Sequence, residues 1–560
     1  MRKLVLTTCW LAWVINLAAA RTYHVAQNHP KASDNNPGTA EAPWKTISRA
    51  AQALRPGDTV LIHKGTYREH VRPARSGTFF RPITYQAARP GEVVITGADI
   101  ITGWTRVNDQ VWKKEPWPHN FPIHPSDERH RLIGRCEQVI ADGRLLAQVE
   151  KPSEMKPGTF CADTAARVLY LWLPDGSDPN AHTIEASVRP VCFGFGWGGE
   201  PRNYIRLRGL VFRYAANMAQ RGALYIIGNH WRVENCIVEW TNGNGISFRG
   251  DHITLRRVRS HHNGQQGLGG GGRHFRLEEV ILDHNNLKGF AKGWEAGGMK
   301  ITHARGGIVR KCQAIANNGN GLWFDIDVRD VVVEQCLCRD NAGSGIFVEI
   351  SGDFLIRDNL CLRNGTDNAW GMAGIQVAES DNCTIEHNSC ILNPTGIAIR
   401  EQGPRTFKGY GGRNATYRVR DITIRRNILA LNRRYQFGLW SDNVFFGPHP
   451  SPEVGSRGIP YDPATCNIRL DCNLYWSQDK AALALWGCPW RPKHRVHADL
   501  ATWQKERGQD ANSLFVKPRF VLPEADNWRL MPESPGTELR AGPTRFPAGT
   551  DPASFDCTGW

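Results

Sequence analysis

The sequence predicts an all-β chain wound into a right-handed parallel β-helix, with an N-terminal capping helix and a small inserted β-sandwich-like domain. Three observations carry this. First, a Gly-apolar step recurs at Gly245-Ile246, Gly267-Leu268, Gly298-Met299, Gly321-Leu322, Gly345-Ile346, Gly374-Ile375 and Gly396-Ile397, at spacings of 22, 31, 23, 24, 29 and 22 residues. Such a period is one coil of a solenoid, and the longer spacings are loops let out of it. Second, residues after each step alternate with the period of two that a strand requires. Third, aligned phrases such as Val233-Glu234-Asn235-Cys236 and Ile385-Glu386-His387-Asn388 put Cys236, Cys312, Cys336, Asn359, Asn388 and Asn427 in one column. Cys338, Cys361 and Cys390 share another column. Stacked inward Asn residues bond side chain to side chain, and inward Cys packs as a small hydrophobe.

The elements follow in order. Residues 1–20 read as a leader: Arg2 and Lys3, a mostly apolar run from Leu4 to Leu17, then Ala18-Ala19-Ala20. This predicts a secreted or periplasmic protein matured near Arg21. No later run is long and apolar enough to span a membrane. Residues 21–100 hold the N-terminal cap and first coils. There Ile47, Ala50, Ala51 and Leu54 form one helical face, which Arg55-Pro56-Gly57-Asp58 terminates. Such a helix covers the open end of a solenoid. Residues 101–200 break the repeat with short alternating runs, including Gln138 to Ala141 and Val168 to Trp172, and read as an inserted β-domain. Residues 201–435 are the central coils. Across 436–560 the repeat fades into Pro-rich, Trp-containing segments that read as a C-terminal cap.

There are fifteen cysteines, Cys9 among them in the leader. Those in the coil columns are expected as free core thiols. Cys466, Cys472, Cys488 and Cys557 are the better disulfide candidates. The net charge of +15 favours an acidic polysaccharide as partner. The leader and the lack of an aromatic-basic platform argue against nucleic acid.

The chemistry falls on two neighbouring coils. In Gly321-Leu322-Trp323-Phe324-Asp325-Ile326-Asp327 the alternation turns Leu322, Phe324 and Ile326 inward and Trp323, Asp325 and Asp327 outward. In the next coil Phe347, Glu349 and Ser351 face outward. Aligning the glycines sets Glu349 directly above Asp325, in a column running Arg249, Gly271, Thr302, Asp325, Glu349, Ala378, Arg400. The neighbouring column carries Lys300, Trp323, Phe347 and Gln376, with Glu295 on the approach to Lys300. Adjacent strands lie about 4.8 Å apart, close to the roughly 5 Å between the carboxyls of retaining glycosidases. Repulsion between two such acids raises one pKa and divides acid from base. Trp323 and Phe347 offer a sugar ring an aromatic wall. A lone outward acid is ordinarily just solvated, as expected for Asp381 and Asp421. The pair with Asp327 also fits an oxygen-ligand calcium site. Like charges directly opposite destabilise a sheet, which is why the pair is singled out.

Several stretches resemble known proteins. Tyr23-His24-Val25-Ala26, Asn36-Pro37-Gly38-Thr39, Pro43-Trp44-Lys45-Thr46-Ile47, Pro56-Gly57-Asp58-Thr59 and Gly65-Thr66-Tyr67-Arg68-Glu69 resemble the opening of many secreted β-helix carbohydrate enzymes. Glu295-Ala296-Gly297-Gly298-Met299-Lys300, Gly321-Leu322-Trp323-Phe324-Asp325 and Phe347-Val348-Glu349-Ile350-Ser351 together resemble family 120 of the glycoside hydrolases, β-helix enzymes that include retaining β-xylosidases. The resemblance implies Asp325 as nucleophile and Glu349 as general acid/base. It also implies Glu295 and Lys300 in the sugar subsite and a β-sandwich at 101–200. Asp327 stands where that family has Glu, and Arg400-Glu401-Gln402-Gly403-Pro404-Arg405 has no counterpart in it.

The expectation is a glycosidase that cleaves a polysaccharide or oligosaccharide by a retaining mechanism. Asp325 and Glu349 are catalytic, and Glu295, Lys300, Trp323, Asp327, Phe347, Gln376 and Arg400 bind substrate. No cofactor and no metal ligand is assigned. The alternative is a polysaccharide lyase acting by β-elimination on an acidic glycan. There Lys300 or Arg400 takes the proton and calcium neutralises a uronate. A third reading is a non-catalytic glycan-binding solenoid.

Overall fold

The computed structural model describes residues 19–545 except 125–131, 197, 367–370, 402, 404, 410–411, 413, 442–465, 479–480 and 488–494. Residues 1–18 of the leader, Cys488 and Cys557 lie outside the described residues. Among the described residues no helix is long and apolar enough to cross a membrane.

The repeat folds as parallel coils. The central part of one face stacks, in sequence order, β1 (Gly222–Ile227), β2 (Asn244–Arg249), β3 (Gln266–Arg273), β4 (Gly297–Arg310), β5 (Asn320–Glu334), β6 (Ile346–Glu349), β7 (Ala373–Ala378) and β8 (Thr395–Glu401). Their register is the glycine register: Met299, Leu322, Ile346, Ile375 and Ile397 lie side by side. These apolar residues are fully buried and fill the solenoid with Phe324, Val348 and Val377.

Polar ladders hold the coils at fixed height. Asn359, Asn388, Asn427 and Asn473 pass Nδ2–H to the next Oδ1 at 2.9, 3.0 and 3.2 Å. Below them the Cys336 amide donates to Asn359 Oδ1 at 2.9 Å. A second ladder, which the repeat alignment does not reveal, runs Asn263, Asn285, Asn317, Asn341, Asn364, Asn393, Asn432 at 2.8 to 3.2 Å. It sits in the turn ahead of each Gly-apolar step. Every amide is buried, so each depends on its neighbours for its hydrogen bonds. Cys338, Cys361 and Cys390 stack in register as buried free thiols. Cys472 is a free thiol too, and not the disulfide partner its position outside the coils suggests.

Helix α1 (Ile47–Ala53) closes the N-terminal end. Thr46 caps it by accepting from the Arg49 amide, and Ile47, Ala50 and Ala51 face the core. Between the first and the main coils the chain builds two further sheets. One has four strands, from Ala98–Ile100, Val139–Ala141, Arg144–Leu145 and Ile184–Ser187. The other has five, and Trp104, Trp117, Phe160, Leu169 and Leu171 pack in a core of their own.

Coil pairing does not end near 435, as the fading repeat suggests. Tyr435–Ser441 pairs with β8, Ala482–Trp486 pairs with that strand, and Ile468–Asp471 and Leu474–Trp476 extend the other faces. Gln436 stands there in place of the step's glycine, ahead of Phe437, and the spacing lengthens, so the period is lost while the inward positions remain apolar. A second helix, α2 (Leu500–Arg507), follows these coils, with Trp503 against Phe437 and Trp486.

Candidate active site

The site lies on the outer face of β4, β5 and β6. Thr302, Asp325, Glu349, Ala378 and Arg400 are consecutive partners across it, and so are Lys300, Trp323, Phe347 and Gln376. Parallel strand spacing therefore sets the Asp325 and Glu349 backbones about 4.8 Å apart. The alternation holds only as far as these two acids. Ile326 and Asp327 then take positive φ of 54° and 59°, and Ile350 takes 49°, so the chain bends. Ile326 is left half-buried instead of in the core.

Lys300 organises the lower half. Its Nζ donates to the Trp294 carbonyl at 2.7 Å and lies 2.9 Å from Asp325 Oδ2 and 3.6 Å from Glu295. It also sits 4.0 Å above the centre of the Trp323 ring. Burial works to lower its pKa, but Asp325 and Glu295 outweigh that and hold the ammonium above its usual range. Asp325 Oδ1 is buried and has no hydrogen-bond partner. Glu295 accepts from Gln266 Nε2 at 2.9 Å, and burial pushes its carboxyl up against the pull of Lys300.

Glu349 is the protonatable member. Burial and then the Asp325 charge raise it to about 7, against the opposing Arg405 and Lys300. Arg405 belongs to a hairpin of β9 (Arg405–Lys408) and β10 (Asn414–Tyr417), and its Nη1 lies 2.9 Å from Glu349 Oε1. The same guanidinium is 3.7 Å from Glu379, a fully buried acid that burial lifts to about 8. Sequence reasoning misses both residues. Arg405 arrives from a loop outside the repeat, and Glu379 lies just beyond the Ala378 position, where the backbone turns through positive φ.

The other predicted binding residues are placed differently from one another. Trp323 and Phe347 are buried and stack on each other at 5.4 Å and 17°. With Phe347 on one ring and Lys300 over it, Trp323 seats the lysine and is not an open wall for a sugar. Gln376 is buried and accepts from Ser344 at 2.6 Å. Arg400 lies two coils above Glu349, beside Glu379. Asp327 leaves the outward column altogether: the turn buries it, and Arg305 Nη2 holds both of its oxygens at 2.7 Å. Among the described residues no group of three or more His, Cys, Asp or Glu is arranged to hold a metal ion.

From Glu295 and Lys300 a cleft of about 330 Å³ runs down the face towards Gly269, Asn244 and Tyr225. His124, which lies between the inserted strands Trp112–Lys114 and Val139–Ala141, lines it and meets Trp294 at 5.3 Å.

Residues 222–389, the coils that carry this site, match the family described as "Right handed beta helix region". Residues 31–74 match a family of unknown function, DUF1565. XylC, solved in complex with xylose, superposes with a TM-score of 0.58 at 18% identity, over 84% of this chain and 87% of that one. The chain is a right-handed β-helix. The mannuronan C-5 epimerase AlgE6 A-module of Azotobacter vinelandii aligns at a TM-score of 0.46 and 13% identity, over 89% of this chain and all (100%) of that one. The uncharacterized protein YwoF of Bacillus subtilis (strain 168) is 39% identical over 71 residues, which span 13% of this chain and 15% of that relative.

Proposed function

We propose that the chain is a carbohydrate-active enzyme, and specifically a retaining glycoside hydrolase with Asp325 as nucleophile and Glu349 as acid/base. One observation carries the reading. Two carboxyls share a register position on adjacent coils, one ion-paired with Lys300 through a single oxygen, the other raised to about 7. Retaining glycosidases need this division of labour at a separation of about 5 Å. The resemblance of the three site motifs to glycoside hydrolase family 120 points the same way.

In the first step Asp325 Oδ1 attacks the anomeric carbon while Glu349 gives its proton to the departing glycosidic oxygen. The C–O bond breaks and a glycosyl ester forms on Asp325. Esterification removes the Asp325 charge that helps to raise Glu349, so the Glu349 pKa falls. As a carboxylate it takes a proton from water, whose oxygen attacks the anomeric carbon and releases Asp325.

The β-elimination reading fits less well. Its base would be Lys300 or Arg400; Asp325 and Glu295 hold the Lys300 ammonium above its usual range, and Arg400 lies two coils above Glu349. Product analysis by NMR tests the proposal. Release of a sugar that first appears with its original anomeric configuration supports it; an inverted or 4,5-unsaturated product overturns it.

A further inference from the structure

Arg405 reaches the site from two coils away. Glu349 pairs with Ala378 and Ala378 with Arg400, so Glu401, next to Arg400, stands about 10 Å above Glu349 along the axis. The hairpin of β9 and β10 bridges that gap. Its inner face carries Arg405, Phe407, Ala415 and Tyr417, and its outer face the exposed Thr406, Lys408, Asn414 and Thr416. The Arg405 guanidinium lies 5.2 Å from the centre of the Phe407 ring. At the far end of β9 the Lys408 carbonyl is 3.2 Å from His303 Nε2, next to Thr302 on β4. Strand β9 therefore runs down the edge of the site from β8 to β4.

Glu401 ties both legs of this hairpin. It is buried, and each of its oxygens accepts from a main-chain amide: Oε1 from Gly403 at 2.9 Å and Oε2 from Val419 at 2.6 Å. Gly403 precedes Arg405 by two residues, Val419 follows Tyr417 by two, and Arg405 and Tyr417 are partners across the hairpin. One carboxylate thus fixes the two backbone points that flank the Arg405–Tyr417 pair. A buried acid is costly, and burial lifts this carboxyl to about 7 against the two amides and Arg418. Its ionised form has two oxygens to offer and no proton to place, which suits a clamp on two N–H groups.

Resting on the glycosidase reading above, we infer that Glu401 is a positioning residue: by holding Gly403 and Val419 it sets the hairpin, and with it the Arg405 guanidinium, against Glu349. Without the tie the hairpin no longer keeps Arg405 in place. The other charges facing Glu349 are Asp325 from β5, Lys300 from β4 and Glu379 from beyond β7, and the coils hold these independently of the hairpin. Arg405 favours the Glu349 carboxylate, so its withdrawal raises the Glu349 pKa.

The test follows the ionisation of Glu349 in the full chain by carbon-13 NMR of side-chain-labelled glutamate, the Glu349 signal being the one lost in Glu349→Gln. The alkaline limb of kcat/KM is measured beside it. Glu401→Gln should move both upward by about half a pH unit or more, the direction expected of Arg405→Met. Glu401→Asp, which keeps the charge with a shorter reach, should move them less. In the Arg405→Met background Glu401→Gln should add no shift, a non-additivity that a merely structural role would not produce. The inference is overturned if Glu349 titrates unchanged or lower in Glu401→Gln, or if the upward shift persists in the Arg405→Met background. Failure of both Glu401 variants to fold overturns it too, since Glu401 would then hold the coil and not the arginine. If the NMR shifts appear but the product is inverted or unsaturated, only the glycosidase reading fails. If the product retains its configuration and Glu349 titrates unchanged, only this inference fails.

Discussion

Lys300 Nζ lies 2.9 Å from Asp325 Oδ2, and the other oxygen of that carboxylate is buried with no hydrogen-bond partner. The lysine thus pairs with Asp325 through one oxygen, and in the proposed mechanism the other oxygen is the one that reacts. Asp325→Ala should bring turnover to background with an unchanged melting temperature. Added azide should restore bond cleavage and give a glycosyl azide of inverted configuration. Full activity in the Ala variant would exclude Asp325 as nucleophile. Lys300→Met removes a preorganised charge from the same site and should lower kcat about a hundredfold or more.

In the proposed mechanism Glu349 sets the pH dependence. The first step needs its proton, and its carboxyl is raised to about 7, so the rate should fall as pH climbs through about 7. Arg405 opposes that elevation. Arg405→Met removes a cation that favours the carboxylate, so the alkaline limb should move to higher pH. A limb that stays in place, or moves down, contradicts the ion pair. Glu349→Gln should slow poor leaving groups by about 10² to 10⁴, and nitrophenolate, which needs no acid, far less.

The acids and the lysine were legible because a β-helix writes its geometry into the sequence. The glycine steps set the register, and the register alone pairs Lys300 with Trp323 and Asp325 with Glu349. Legibility stops where the backbone leaves the strand. Period-two counting carries Asp327 outward, but positive φ at Ile326 and Asp327 turns it into the ion pair with Arg305. Arg405 lies 56 residues beyond Glu349, on a hairpin outside the repeat, and no column alignment reaches it. Trp323 is outward by parity yet buried, because its coil neighbours cover it.

The second asparagine ladder should matter to stability and to the site together. Asn341 donates to Asn364 Oδ1 and to the Ala314 carbonyl, each at 2.8 Å, and accepts from Asn317. Truncating it leaves buried partners unsatisfied in the turns ahead of Gly321 and Gly345. Asn341→Ala should cost about 1–3 kcal/mol of stability, read from denaturant unfolding. Activity should fall as well, since the same turn sets the height of β5 against β6. Asn473→Ala, higher in the other ladder, should cost similar stability and spare activity.

Gly269 offers the sharpest test of where the sugar lies. Its outward position faces the cleft, so a methyl group there intrudes on Asn244 and Gln266 and on any ring above them. The core side of the strand, with Leu268 buried beneath, is untouched. Gly269→Ala should therefore raise KM about three- to tenfold, the worth of roughly one net hydrogen bond, with little change in melting temperature. In the proposed mechanism the chemical step depends on Lys300, Asp325 and Glu349, one, two and three coils above, so kcat should hold. An effect on kcat with KM unchanged would mean that the sugar binds above Lys300, towards Gln376 and Arg400, instead of below it.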